Sequence, residues 1–184
     1  MHKQGLSSTI SNETTVIHTG TENLPRLTTE MTALFQMGVA HQIGACTPAG
    51  RPVLCRGLAA AVEGSGQVAV LLSAQSGFEV LDAIRETAWV AVNVTVPSTY
   101  QSLHLKGRDA IAGPASPMHR PLLEASHRAF RDQITPFGFS PEFTHSWYDV
   151  TDDDLMVVRF TPLGAWNQTP GPGAGNRLDL SIKR

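Results

Sequence analysis

The stretch "LLSAQSGFEVLDAIRE", residues 71–86, decides how the rest of the chain is read. An apolar strand end, Val68 to Leu72, runs into a small polar turn, Ser73-Ala74-Gln75-Ser76-Gly77, and then into a short amphipathic helix. Phe78, Leu81, Ile84 and Ala88 recur at helical spacing, while Glu79, Asp82, Arg85 and Glu86 point mostly away from them. Backbone N–H groups at such a helix start, aided by the helix dipole, favour an anion. The cation that ordinarily completes a phosphate grip is missing, because no Lys or Arg occurs between Arg56 and Arg85.

Working outward, the run is flanked by strand patterns on both sides. "GVAHQIGACT" alternates weakly, Pro48-Ala49-Gly50 makes a turn into "VLCRGLAAAVE", and Gly64-Ser65-Gly66 turns into "QVAVLLS". Tight turns predict an antiparallel meander of three strands. After the helix come "AWVAVNVTV" (88–96), rich in β-branched residues, and a half-exposed strand over 98–113. In the latter, Tyr100, Ser102, His104 and Lys106 share one face, and Gln101, Leu103 and Leu105 the other. "DLMVVRFTPLGAWNQ" (154–168) is the last strand.

Helices are expected near 25–37, with Thr28 or Thr29 as N-cap, over 118–134, and briefly after Ser140. The second of these should bury Met118, Leu122, Ala125, Ala129 and Phe130, with Pro121 tolerated in its first turn. Residues 1–24 read as a flexible N-terminal arm and 25–184 as one domain ending in a Gly/Pro-rich tail, "TPGPGAGNRLDLSIKR", without regular structure. The fold class is α+β: a six-stranded antiparallel split β-barrel with inserted and flanking helices, closure removing exposed sheet edges.

Composition narrows the functions. Hydrophobic residues make up 41% of 184, enough for a real core. A formal net charge of -2 leaves no basic excess for nucleic acid. No apolar window is long enough to span a membrane, no secretory signal is visible, and two cysteines fit a cytoplasmic protein. Cys46 and Cys55 flank a hairpin turn that would set them opposite each other; free, half-buried thiols are the favoured reading over a disulfide.

The order of elements resembles that of the split-barrel FMN-binding proteins related to pyridoxamine 5'-phosphate oxidase. The likeness covers about residues 28–112. It rests on the Ala49-Gly50-Arg51-Pro52 hairpin, the strand–turn–helix at 68–86, the hydrophobic strand after it, and a Tyr100-Gln101-Ser102 strand ending in Lys106-Gly107. The resemblance implies a homodimer with FMN between two barrels, a small-molecule substrate and flavin-dependent oxidoreductase activity. It further implies that Arg56 and the turn from Ser73 through Ser76 and Gly77 to Phe78 face the flavin phosphate. Gln101 and Ser102 would supply polar contacts, Lys106 a further cation, and Trp166, with Gln168 and Arg177, would lie near the ring. This chain departs from the oxidase where an adjacent Arg-Lys pair would stand: here the residues are Gly77 and Phe78. Losing two charge-assisted hydrogen bonds weakens FMN by roughly 3–6 kcal/mol. Helix N–H groups, Ser73, Ser76, Arg56 or Lys106 would recover part of this.

Plainer readings stand beside these. Ser76 also suits an N-cap, Arg56 a solvated strand end, and Gln101 and Ser102 the polar side of a half-buried strand. Trp89, Trp147 and Trp166 suit core or interface anchors. The histidines lack metal spacing: His119 and His127 lie about 80° apart around a helix, and no i, i+4 pair occurs, so no metal is expected. A non-enzymatic split barrel holding haem through an axial His, or one that has lost its cofactor, is the alternative function. "TDDDL" (151–155) reads as a solvated turn.

Overall fold

The computed structural model describes residues 24–182; the expected arm lies outside them except for Leu24. Twelve strands and four α-helices follow one another in the described chain. In order they are β1 (Pro25–Arg26), α1 (Thr29–Leu34), β2 (Ala40–Cys46), β3 (Pro52–Gly57), β4 (Ala59–Val62), β5 (Val68–Ser73), α2 (Phe78–Thr87) and β6 (Val90–Thr95). Then come β7 (Ser102–Gly107), β8 (Ile111–Pro114), α3 (Arg120–Ile134), α4 (Pro141–Tyr148), β9 (Leu155–Phe160), β10 (Gly164–Asn167), β11 (Arg177–Leu178) and β12 (Ser181–Ile182). All strand pairs are antiparallel, in a six-stranded sheet of order β11-β10-β7-β6-β2-β3, a four-stranded sheet β4-β5-β9-β8, and a β1-β12 pair.

The architecture is α+β and antiparallel as expected, but twelve strands replace six because three long runs each change sheets and three two-residue strands, β1, β11 and β12, are added. "VLCRGLAAAVE" breaks at Leu58, so β3 joins the six-stranded sheet and β4 the four-stranded one. Leu58 N–H already bonds Leu71 O at 2.7 Å, so the crossing leaves no backbone group stranded. The runs 98–113 and 154–168 break in the same way, at Arg108-Asp109-Ala110 and Thr161-Pro162-Leu163. Asp109 accepts from Thr161 N–H at 2.9 Å and ties these two corners together. The expected three-strand meander is therefore corrected: β2 pairs β3, but β5 pairs β4 and β9.

Alternation explains the layers. Val68, Val70 and Leu72 of β5 join the inner faces of both sheets in the main core with Ile43, Val92, Val94, Leu103, Leu105, Val158 and Phe160. Ala69 and Leu71 turn the other way, onto Leu123, Phe130 and Ile134 of α3 and Tyr148 of α4. A strand covered on both faces reads as an unbroken apolar run, which is what "VAVLL" is. On the outward face of the six-stranded sheet, α3 and α4 border the β3 end, where Phe130, Trp147 and Tyr148 surround Arg56.

Several local expectations need correction. Met118 is exposed and sits in a 3-10 turn, Pro117–His119; Leu123 is buried in its place on α3. Phe78 is 60% exposed rather than on the buried side of α2, which buries Val80, Leu81, Ala83 and Ile84. The stretch before Ser102 is a turn, not strand, with Tyr100 at φ 59. The tail forms β11 and β12, which pair with β10 and β1. Register sets Cys46 opposite Pro52 and Cys55 opposite Ile43, so the two cysteines do not face each other, and both are free.

Candidate functional site

Pairing places one residue from each strand of the six-stranded sheet in a single cross-strand row on its outward face. From β3 to β11 the row is Arg56, Gln42, Asn93, His104, Trp166 and Arg177. Side chains two apart on a strand share a face, so Thr95, Ser102 and Lys106 belong to adjacent rows of the same surface. A chain of hydrogen bonds stiffens its middle: Asn93 Nδ2 donates to Gln42 Oε1 at 3.2 Å and to Thr95 Oγ1 at 3.1 Å, and Thr95 and Ser102 hydroxyls meet at 2.9 Å.

Two grooves open on this face, one at each end. The first, about 820 Å³, is bordered by Gln42, Arg56, Tyr100, Phe130, Phe143 and Trp147. Here the Arg56 guanidinium lies 3.6 Å from the Trp147 ring centre, with Phe130 and Tyr148 at 5.6 and 5.4 Å. Burial pulls its pKa below the usual guanidinium value, while burial also pushes the Tyr148 phenol up. The sequence offered no sign of this box, since Arg56 and Trp147 are 91 positions apart and only the packing of α4 joins them.

The second groove, about 780 Å³, is bordered by Cys46, Trp89, Lys106, Arg108, Leu163 and Trp166. The Lys106 ammonium lies 4.8 Å from the Trp166 ring centre, Arg177 at 5.9 Å, and Arg108 at 4.8 Å from Trp89. Gly164 allows the indole to fold back over its own strand, since a Cβ there would sit 2.4 Å from Trp166 Cη2. His104 meets Trp166 edge-on at 6.1 Å, and burial, then the charge of Lys106, depresses its pKa.

Arg56 and Lys106 are thus on one surface but in different grooves, with β2 and β6 between their strands, three strand spacings or about 14 Å. Ser102 is 8% exposed, its hydroxyl bonded to Thr95 and to Tyr100 O, its N–H to Thr169. It fastens the tail to β7, while Gln101 beside it is exposed.

The turn from Ser73 to Gly77 lies elsewhere, at the end of the four-stranded sheet. Gly77 packs near the Cys55 thiol, which faces the core side of β3, opposite Arg56. Its backbone donors are already taken. Ala74 N–H bonds Asp154 O at 2.7 Å, Gln75 N–H bonds Asp154 Oδ1 at 2.8 Å, Ser76 N–H bonds Ser73 Oγ at 3.1 Å, and Gly77 N–H bonds Ser73 O at 3.0 Å. The α2 cap is Gly77, without a side-chain hydrogen bond, so Ser76 is not the N-cap. The Asp154 carboxylate of the "TDDDL" segment accepts one of these donors, Gln75 N–H. Arg51 reaches the first turn of α2, where it is paired with Glu79 at 3.1 Å. The N–H groups of residues 74–77 are thus bonded within the chain, and the turn lies apart from the Arg56-to-Arg177 row.

No protein-family model matches the chain, and no curated protein matches it. Among solved structures, HupZ of Group A Streptococcus is similar with a TM-score of 0.50 at 9% identity, over 81% of this chain and 99% of that one. A pyridoxamine 5'-phosphate oxidase-related, FMN-binding protein from Nostoc punctiforme gives 0.45 at 13% identity, over 78% and 84%. HutZ, the heme storage protein from Vibrio cholerae, gives 0.43 at 16%, over 77% and 94%. The likeness is one of fold, carried by HupZ at a TM-score of 0.50. No helix among the described residues is long and apolar enough to cross a membrane, and no metal-holding cluster of His, Cys, Asp and Glu occurs among them.

Proposed function

We propose that the chain is a split-barrel flavoprotein that binds FMN on the outward face of the six-stranded sheet, as a homodimer, and serves as a flavin-dependent oxidoreductase of a small molecule. The observation that carries this reading is the polar and aromatic row from Arg56 to Arg177 on the outward face, flanked by two aromatic grooves of ligand size that take in Arg56 and Trp166. Arg56, held flat against Trp147, is the cation best placed to meet a phosphate beside a stacked ring. Gln42 and Asn93 supply amide groups for ring-edge hydrogen bonds. Lys106 and Trp166 would face the ligand from the other groove, or from the partner copy across the face. Ser73, Ser76 and Gly77 hold the start of α2, and Ser102 the tail, so their role toward the cofactor is support. Gln101 is exposed beside Tyr100, which borders the first groove. When bound, FMN would supply hydride or single-electron transfer, and the chain's part would be to position it and exclude water.

One observation favours a second reading. His104 stands in the middle of the row with its imidazole held neutral, the form that ligates a metal, and haem would use it as an axial ligand. The test is the visible spectrum of the purified protein followed by separate titrations with FMN and haem. Saturable FMN binding, weakened by Arg56→Ala, is the expected result. No flavin affinity, with a Soret band that His104→Ala abolishes, would replace the first reading by the second.

A further inference from the structure

Behind the Arg56 groove lies a second, smaller and more enclosed chamber of about 260 Å³, between α1, β4 and α3. Its space comes from small side chains, among them Gly38, Ala60, Ala61 and Ala129. His41 of β2 borders both this chamber and the Arg56 groove. The side chain is 2% exposed, and neither Nδ1 nor Nε2 has a hydrogen-bond partner. A neutral imidazole has one N–H to donate and one nitrogen to accept, and polar atoms inside native proteins are almost always paired. Burial, reinforced by Arg56, lowers its pKa to about 3, so the ring is neutral across the physiological range.

The ring is fitted into this wall. Opposite it on β3 stands Gly57, where a Cβ would come 2.9 Å from His41 Cβ. A second unpaired group lies alongside: Gln133 Oε1, whose side chain packs against Gly38 of the chamber wall. Gly38 is at φ +71 and would bring a Cβ within 2.3 Å of Ala129 O, so neither space nor backbone admits another residue there.

We propose that this chamber is a binding site for a compact, neutral, largely apolar molecule about the size of a substituted ring, anchored by a hydrogen bond to the His41 imidazole. An apolar protein cavity of about 150 Å³ accepts benzene, so this one has room for a ring and a polar substituent. The chamber wall contains no Lys, Arg, Asp or Glu, so a charged ligand would enter without a counter-charge. The site does not depend on flavin binding in the outer groove.

Phenol and toluene are suitable probes, being alike in size and differing by the hydroxyl group. Titration of the full-length protein followed by ¹⁵N-detected imidazole resonances should show saturable phenol binding that moves the His41 nitrogens, with toluene about tenfold weaker or worse. His41→Phe should erase that preference, and Ala129→Leu, checked for native circular dichroism, should abolish binding of both while leaving FMN affinity unchanged. Long-lived water beside the His41 ring with no saturable phenol binding would overturn the proposal. So would phenol binding that leaves the His41 nitrogens unmoved, or that survives unchanged in folded Ala129→Leu.

Discussion

At the scale of single residues, His41 and Arg56 set the chemistry of the interior and of the outward face. For His41 the folded pKa, about 3, lies below the ordinary 6.5. The unfolded chain therefore takes up a proton that the folded one refuses as pH falls from about 6.5 toward 3, and stability is lost with acidification in that window. Each pH unit within it removes up to about 1.4 kcal/mol at this residue. Urea midpoints at pH 7 and pH 5 should show the fall, and His41→Phe should flatten it. For Arg56, substitution by Ala removes a charge-assisted contact worth about 1.5–3 kcal/mol, or about ten- to a hundredfold in FMN affinity, readable by fluorescence titration. Cys55 is the residue whose reactivity burial controls: its thiol is pushed up to about 11. Alkylation with iodoacetamide at pH 8, mapped by mass spectrometry, should leave Cys55 unmodified until denaturant is added.

At the scale of elements, the turn before α2 shows how far a sequence pattern reaches. An apolar strand, a small polar turn and an amphipathic helix were legible because each has its own periodicity, 2 or 3.6, and local chemistry punctuates them. That the turn's donors are taken by Asp154 was not legible, since the carboxylate arrives from 79 residues away, through β9 pairing with β5. Packing also accounts for Gly77. A Cβ there would lie 2.6 Å from Leu72 Cδ1 and 2.8 Å from Ser73 O, so an Arg cannot simply be restored. Gly77→Arg should destabilise the protein by about 1–3 kcal/mol in thermal or urea unfolding, as overpacking does. Phe78→Lys, at an exposed position outside both grooves, should fold normally and leave FMN affinity unchanged, alone or in combination with Asp154→Asn. A raised affinity in either variant would return this turn to the cofactor's surroundings.

At the scale of the whole molecule, the outward face with Leu54 at 72%, Trp89 at 49% and Leu163 at 47% exposure is the surface a second copy would cover. Sedimentation equilibrium should give twice the chain mass, and Leu54→Glu should shift it to the monomer while leaving the fold intact by circular dichroism. The split-barrel resemblance was legible from the order of strands, turns and helices between residues 28 and 112. The three sheet changes were not, because each uninterrupted β-rich run alternates equally well whether its two halves pair with one neighbour or with two.

The sequence by itself determined the elements near residues 71–86, the antiparallel character and the want of a cation before α2. These depend on side-chain periodicity, turn chemistry and charge, which act over a few residues. Only the tertiary structure decided that Arg56 lies on Trp147, that Asp154 bonds the turn before α2, that Ser102 secures the tail, and that His41 is buried without a partner. Each of these is a meeting of residues distant along the chain, and it is set by strand register and by which sheet each half-strand joins.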